Sequence, residues 1–166
     1  LGDPPRAIEF FEQQLTITRE TGDRRGEGNA LGSLGLAYAD LGETRRAIEF
    51  YEQRLTIARE IGDRRGEGTA LGNLGLAYAD LGETRGVIEF YEQRLTIARE
   101  IGDRRGEAIT SWNLGNETEK LGDLARAADL MQVCVDYLRE IGHPDYEKDA
   151  ARVIALRTRS ADAARD

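Results

Sequence analysis

One 40-residue unit is written twice in succession in this chain. Residues 21–60 and 61–100 align without a gap and differ only at Thr21/Ile61, Asn29/Thr69, Ser33/Asn73, Arg46/Gly86 and Ala47/Val87, so 35 of 40 positions are identical. A diverged third copy occupies 101–140, residues 1–20 match the second half of the unit, and a fourth copy starts near His143 and loses the pattern. A period of this length marks a repeat array, in which each unit buries its apolar face only by stacking on its neighbours.

Each unit holds two helical patterns. In the first, Leu71, Leu74, Gly75, Tyr78 and Leu81 recur at steps of three and four; in the second, Val87, Ile88, Tyr91, Leu95 and Ala98 do so. Both describe one apolar face of a helix. Gly82 and Gly102 are positioned to stop the helices, Asp63 and Asp103 to cap the next ones, and Asp3 to cap a helix that Pro4 opens. The pattern predicts an all-α chain of eight antiparallel helices at about 4–20, 24–41, 44–60, 64–81, 84–100, 104–121, 124–140 and 145–160, stacked as an α-α superhelix with a right-handed twist. The single domain divides into a half repeat (1–20), three full repeats (21–60, 61–100, 101–140) and a capping helix (141–166), whose Arg152, Arg157 and Arg159 beside Val153, Ile154 and Leu156 suit a solvated end. The first helix lacks its partner, so Ile8, Phe11 and Leu15 are expected to expose an apolar flank prone to self-association.

Composition narrows the function. With 40% hydrophobic and 33% charged residues among 166, the chain has the balance of a folded helical protein. No apolar run approaches the 18 or more residues of a membrane span, and the net charge of −8 repels nucleic acid and anionic lipid. Cys134 is the only cysteine, which rules out an internal disulfide and fits a reducing cytoplasm. Leu1 is not a natural start, so a fragment of a longer chain is expected; the basic residues are nearly all arginine, which points to a bacterial, GC-rich source.

The run Leu71–Leu74–Gly75–Tyr78 followed by Val87 and Tyr91 resembles the tetratricopeptide repeat (TPR) over residues 1–140, in a long variant similar to the LGN/Pins scaffolds and to arrays in bacterial signalling ATPases. Where the usual repeat ends in proline, this chain has Arg59 and Arg99. The resemblance implies a TPR solenoid whose first helices line a concave groove holding a peptide or a partner helix. Some relatives clamp a peptide's terminal carboxylate with lysine and arginine; Gly32, Gly72 and Trp112 stand where that lysine would be, so this clamp is expected to be absent.

The candidate groove residues are Leu36, Asp40, Gly72, Asn73, Leu76, Asp80, Trp112, Asn113 and Asn116. Leu36 and Leu76 fall on the side of the first helix away from the core stripe, Gly32 and Gly72 leave room beside them, and Trp112 suits a rigid anchor. Packing against neighbouring helices is the competing reading for all of these. Asn73, Asn113 and Asn116 could pair with a peptide backbone or tie helices together. Asp40 and Asp80 favour a ligand with Lys or Arg flanks.

The pairs Arg24-Arg25, Arg64-Arg65 and Arg104-Arg105 each stand between an Asp and a Glu and read as a self-neutralised edge rather than a site for an acidic partner. His143 reads as a helix cap, Cys134 as a small core residue, and Glu89 and Glu92 as surface carboxylates. No metal, cofactor or catalytic constellation is expected. The function this predicts is a scaffold binding a protein or peptide across the first helices of the three copies. The alternative is a self-associating or sensor segment of a larger bacterial signalling protein.

Overall fold

The computed structural model describes residues 4–165, which form eight helices and no strand: α1 (Pro4–Thr21), α2 (Arg24–Asp40), α3 (Thr44–Glu60), α4 (Arg64–Asp80), α5 (Thr84–Glu100), α6 (Arg104–Lys120), α7 (Leu124–Glu140) and α8 (Tyr146–Ala163). Every helix lies within a few residues of its predicted position. The expected cap at Asp3 lies outside the described residues.

Two adjoining residues do most of the punctuation. At the end of α3, Gly62 takes φ 69°, its amide donates to the Arg59 carbonyl, and the Asp63 amide reaches back to the Ala58 carbonyl at 2.8 Å. This is the Schellman arrangement, and only glycine accepts its left-handed φ without strain. Asp63 then turns from ending one helix to starting the next, its Oδ1 accepting the Gly66 amide at 2.9 Å. The same Gly-Asp step recurs at Gly22-Asp23, Gly102-Asp103 and Gly122-Asp123. Connections this short leave successive helices no choice but to run antiparallel. At α8 the cap is Asp145 and not His143, whose Nδ1 instead accepts the Asp145 amide at 3.2 Å.

The chain divides into two compact units, with the boundary between Phe90 and Tyr91 inside α5. In the first, α2 packs between α1 and α3, α3 packs on α4, and α2 also touches α4. Its core is Ala30, Leu31, Leu34, Tyr51, Ala70, Leu71 and Leu74, all essentially inaccessible. Gly35 lets α3 approach closely: a Cβ there would lie 2.6 Å from Cδ1 and 2.9 Å from Cζ of the Tyr51 ring. Ion pairs between buried carboxylates and half-exposed arginines brace the repeat joints. Glu27, 8% exposed at its side chain, is held by Arg19 at 2.9 Å and Arg24 at 2.5 Å; Glu67 is held by Arg59 at 2.9 Å and Arg64 at 2.6 Å. Burial alone would raise both carboxyls, but the hydrogen bonds and charges of the two arginines prevail and lower them.

The expected open flank of α1 lies elsewhere on that helix. Leu15 is buried and Ile8 and Phe11 are half-buried, whereas Ile17 is 59% and Phe10 61% exposed. The reason is visible one repeat on, where Ile57, the counterpart of Ile17, is buried and lies within packing distance of Gly28 on the preceding first helix. Among the described residues no helix precedes α1 to cover Ile17 in that way.

In the second unit, α7 packs between α6 and α8 around Ala127, Ala128, Met131, Val135, Val153 and Leu156. Val153 and Leu156 fasten α8 to α7, and its exposed side carries Ile154, Arg157 and Arg159.

Candidate functional site

The side of α2 away from its core carries Arg25, Asn29, Gly32, Leu36 and Asp40 at steps of three and four. One repeat on, α4 presents Arg65, Thr69, Gly72, Leu76 and Asp80. These stripes are about 22 Å long at 1.5 Å per residue. Leu36 is 51% and Leu76 49% exposed, large values for leucines at corresponding points of a packed repeat. Asp40 and Asp80 are the exposed last residues of their helices, and neither helix has a basic residue in its last turn. A carboxylate at that end opposes the helix dipole, so these aspartates do not serve helix stability. The third copy has Lys120 at the same place, where it pairs with Glu117 at 2.7 Å. Asn73 is half-buried beside the stripe.

Gly32 and Gly72 do not open onto solvent as expected: both are buried. The room that Gly32 leaves is filled by Arg54, which reaches up from α3 and puts Cζ 2.9 Å from where a Cβ would be. Burial lowers the Arg54 guanidinium from its ordinary value, with the Asp63 charge acting the other way. Arg54 was not among the candidates from sequence. The signal for it was an exchange between positions: the copies with Gly32 and Gly72 have Arg54 and Arg94, whereas the copy with Trp112 has Cys134.

The arginine pairs also split. Arg24, Arg64 and Arg104 are neutralised, Arg24 by Glu27 and Glu60, Arg64 by Glu67, and Arg104 by Glu140 at 2.6 Å. Their neighbours Arg25 and Arg65 make no ion pair with the described residues and line, with Arg54, Asn29, Thr69, Asp63 and Gly66, an open pocket of about 400 Å³.

In the second unit the structure gives the remaining candidates other neighbours. Trp112 is half-buried against the α7–α8 cluster, with the Arg152 guanidinium 5.2 Å from its ring centre. Asn116 Oδ1 accepts from Arg152 at 2.7 Å, and Glu119 accepts from Arg152 and Arg159. These contacts dock α8 on α6. Asn113 is half-buried. Cys134 is buried, and its thiol is pushed up to about 11, chiefly by that burial and then by the Asp149 charge. Among the described residues no grouping of His, Cys, Asp and Glu could hold a metal ion, and no helix is long and apolar enough to cross a membrane.

Paired antiparallel helices repeating every 40 residues, with first helices exposing one stripe and second helices packed behind, define a helical repeat array. The tetratricopeptide repeat profiles match residues 1–60 and 70–105, and the chain belongs to the tetratricopeptide repeat family. No curated protein sequence matches it. Among solved structures, a protein of Podosopora anserina described as a kinesin light chain with nearly identical TPR-like repeats is similar over 98% of this chain and 82% of its own, at 19% identity and TM-score 0.76. BtubC (BKLC) from P. vanneervenii is similar over 96% of this chain and 75% of its own, at 20% identity and TM-score 0.71. RapI in its apo form gives TM-score 0.82 at 14% identity over 93% of this chain, which spans 44% of RapI. At these identities the likeness is one of fold.

Proposed function

We propose that this chain is a protein-binding module, not an enzyme, and that it holds an apolar peptide or partner helix against the stripes of α2 and α4. The observation that carries this is the pair Leu36 and Leu76, half-exposed at the same point of two successive repeats. Asp40 and Asp80 beyond them favour Lys or Arg at that end of the ligand. The test is a displayed library of random peptides selected on the purified chain, followed by calorimetry of the enriched sequences. The expected ligands are apolar with a basic flank, and Leu36→Ala or Leu76→Ala each weakens them about thirtyfold, the 2 kcal/mol of a true anchor. Enriched peptides indifferent to both substitutions contradict this reading.

The exposure of Ile17, set against its buried counterpart Ile57, favours a second reading in which α1 associates with another chain. Light scattering over a hundredfold concentration range tests it. A constant monomer mass, unchanged in Ile17→Lys, removes the reading.

A further inference from the structure

The chain carries 31 acidic against 23 basic residues, so an arginine without a partner is not left so by a shortage of carboxylates. Within the first unit Arg19, Arg24, Arg46, Arg59 and Arg64 each hold a carboxylate. Arg25, Arg45, Arg54 and Arg65 hold none among the described residues, and all of these but the exposed Arg45 line the same pocket. Arg54 is half-buried there, so part of its hydration is already lost. Asn29 adds an exposed amide on one side; on the other, the Thr69 hydroxyl already donates to the Arg65 carbonyl at 2.9 Å. The only carboxylate in the lining is Asp63, whose Oδ1 is occupied by the Gly66 amide at the start of α4. Three convergent cations around one engaged carboxylate leave an excess of positive charge, to which the N-terminal ends of α2 and α4 add. In the free protein that arrangement is unfavourable, and an incoming anion relieves it.

We propose that this pocket is a subsite for an acidic side chain, Glu or Asp, of the bound peptide. The inference rests on the groove reading above and gives the ligand a direction, acidic at the Arg25/Arg65 end and basic at the Asp40/Asp80 end. A single carboxylate suits the pocket better than a phosphate because Asp63 opposes a second negative charge. The guanidinium of Arg54 accepts it edge-on with two N–H donors. Asn29 and Thr69 lie seven residues, about 10 Å along the helix, from Leu36 and Leu76, which an extended peptide spans in about three residues.

The second unit contains a built-in comparison. Eighty residues on, Arg105, Ile109, Cys134 and His143 take the places of Arg25, Asn29, Arg54 and Asp63, and with Tyr137, Leu138 and Ile141 line a pocket of about 300 Å³. Only one of the arginines survives there, so the acidic preference belongs to the first unit.

The probes are labelled, C-terminally amidated decapeptides with two leucines, lysine at one end, and a single glutamate stepped through the other half. Each has a glutamine, a phosphoserine and a free-carboxylate counterpart, and binding is read by fluorescence anisotropy. The expected result is a glutamate preference over glutamine of about tenfold, the value of one charge-assisted hydrogen-bonded pair. It peaks three or four residues from the nearer leucine and is lost in Arg54→Gln. In the double variant Arg25→Gln/Arg65→Gln, whose residues are exposed and whose fold is therefore safe, it falls severalfold. Leu76→Ala weakens glutamate and glutamine peptides alike, which separates the subsite from the groove. Peptides that bind through Leu76 with no glutamate preference overturn the subsite and leave the groove standing. A preference for phosphoserine, or one that needs only the free terminal carboxylate, overturns the side-chain assignment; no binding of any probe overturns both readings.

Discussion

Two glycines one turn apart on α2 should respond to the same substitution with opposite signs. An alanine in a helix interior is worth about 1 kcal/mol over glycine, and Gly32 and Gly35 both gain this. What differs is the obstacle. A methyl at Gly35 meets the Tyr51 ring, with two ring atoms at 2.6 and 2.9 Å where contact normally begins near 3.5 Å. That ring is 2% exposed and has nowhere to retreat without moving α3. Overpacking of this kind costs about 1–3 kcal/mol, and a rigid ring closed in on all sides belongs at the upper end. The net expectation for Gly35→Ala is a loss of about 2 kcal/mol.

At Gly32 the methyl meets only the end of Arg54, whose long side chain can swing into the adjoining pocket. The cost is a displaced rotamer, about 0.5–1 kcal/mol, and the net expectation lies between no change and a gain of about 0.5 kcal/mol. Repeat arrays need not unfold in one step, so the assay should be local. Hydrogen exchange of the α2 and α3 amides, read by mass spectrometry alongside urea unfolding, should rank Gly32→Ala at or above the parent and Gly35→Ala well below it. Equal protection in the two variants would refute the argument that helix spacing in the first unit is set by the Gly35–Tyr51 contact.

Three further outcomes follow from single features. Ser111 is fully buried, and its hydroxyl has no hydrogen-bond partner among the described residues, so Ser111→Ala should stabilise the second unit by about 1 kcal/mol in thermal melts; a destabilised variant contradicts the assignment. Glu27 and Glu67 have lowered carboxyls, so their contribution is complete above the unfolded value of about 4.3 and is lost as pH falls through the lower folded value. Glu27→Gln should therefore flatten the acid limb of the stability curve and leave the pH 6–8 plateau level, though lower. The Cys134 thiol, raised to about 11, should react with a disulfide reagent at pH 8 only after unfolding; fast labelling of the native chain would place it outside the core.

The fold was legible because the repeat writes its punctuation out seven times. Glycines at 22, 42, 62, 82, 102, 122 and 142 all take positive φ, helix period and stop agree at each joint, and an aspartate caps the next helix at four of them. The exposed leucines and aspartates of α2 and α4 were legible too, since a stripe opposite the core face follows from helix period alone. Arg54 was not. A residue on a second helix reads as outward-facing and solvated, and only the three-dimensional approach of α3 to α2 shows its guanidinium passing over Gly32 into the pocket. The surroundings of Trp112 were not legible either. Its position in the repeat is a groove position, but α8 departs from the repeat sequence and arrives with Arg152 and Val153, a docking that periodicity cannot foresee.

Copies that are nearly identical turn each difference into a controlled comparison. At the groove stripe the first two copies share Arg, Gly, Leu and Asp in order, while the third has Arg105, Trp112, Asn116 and Lys120. At the second-helix position that fills the glycine's space, Arg54 and Arg94 become Cys134 in the same copy. The large side chain has moved from one helix to the other, and the charge has been lost in the move. Trp112 and Asn116 there meet Arg152 of α8, and Lys120 meets Glu117 of its own helix. Stability therefore explains the third copy's departures and does not explain what the first two copies keep. A half-buried cation without a carboxylate, two half-exposed leucines and two aspartates set against their own helix dipoles each cost the free protein something. Their repetition at a 40-residue spacing is the pattern expected of a surface shaped by a ligand: polar at both ends, of opposite sign, and apolar between.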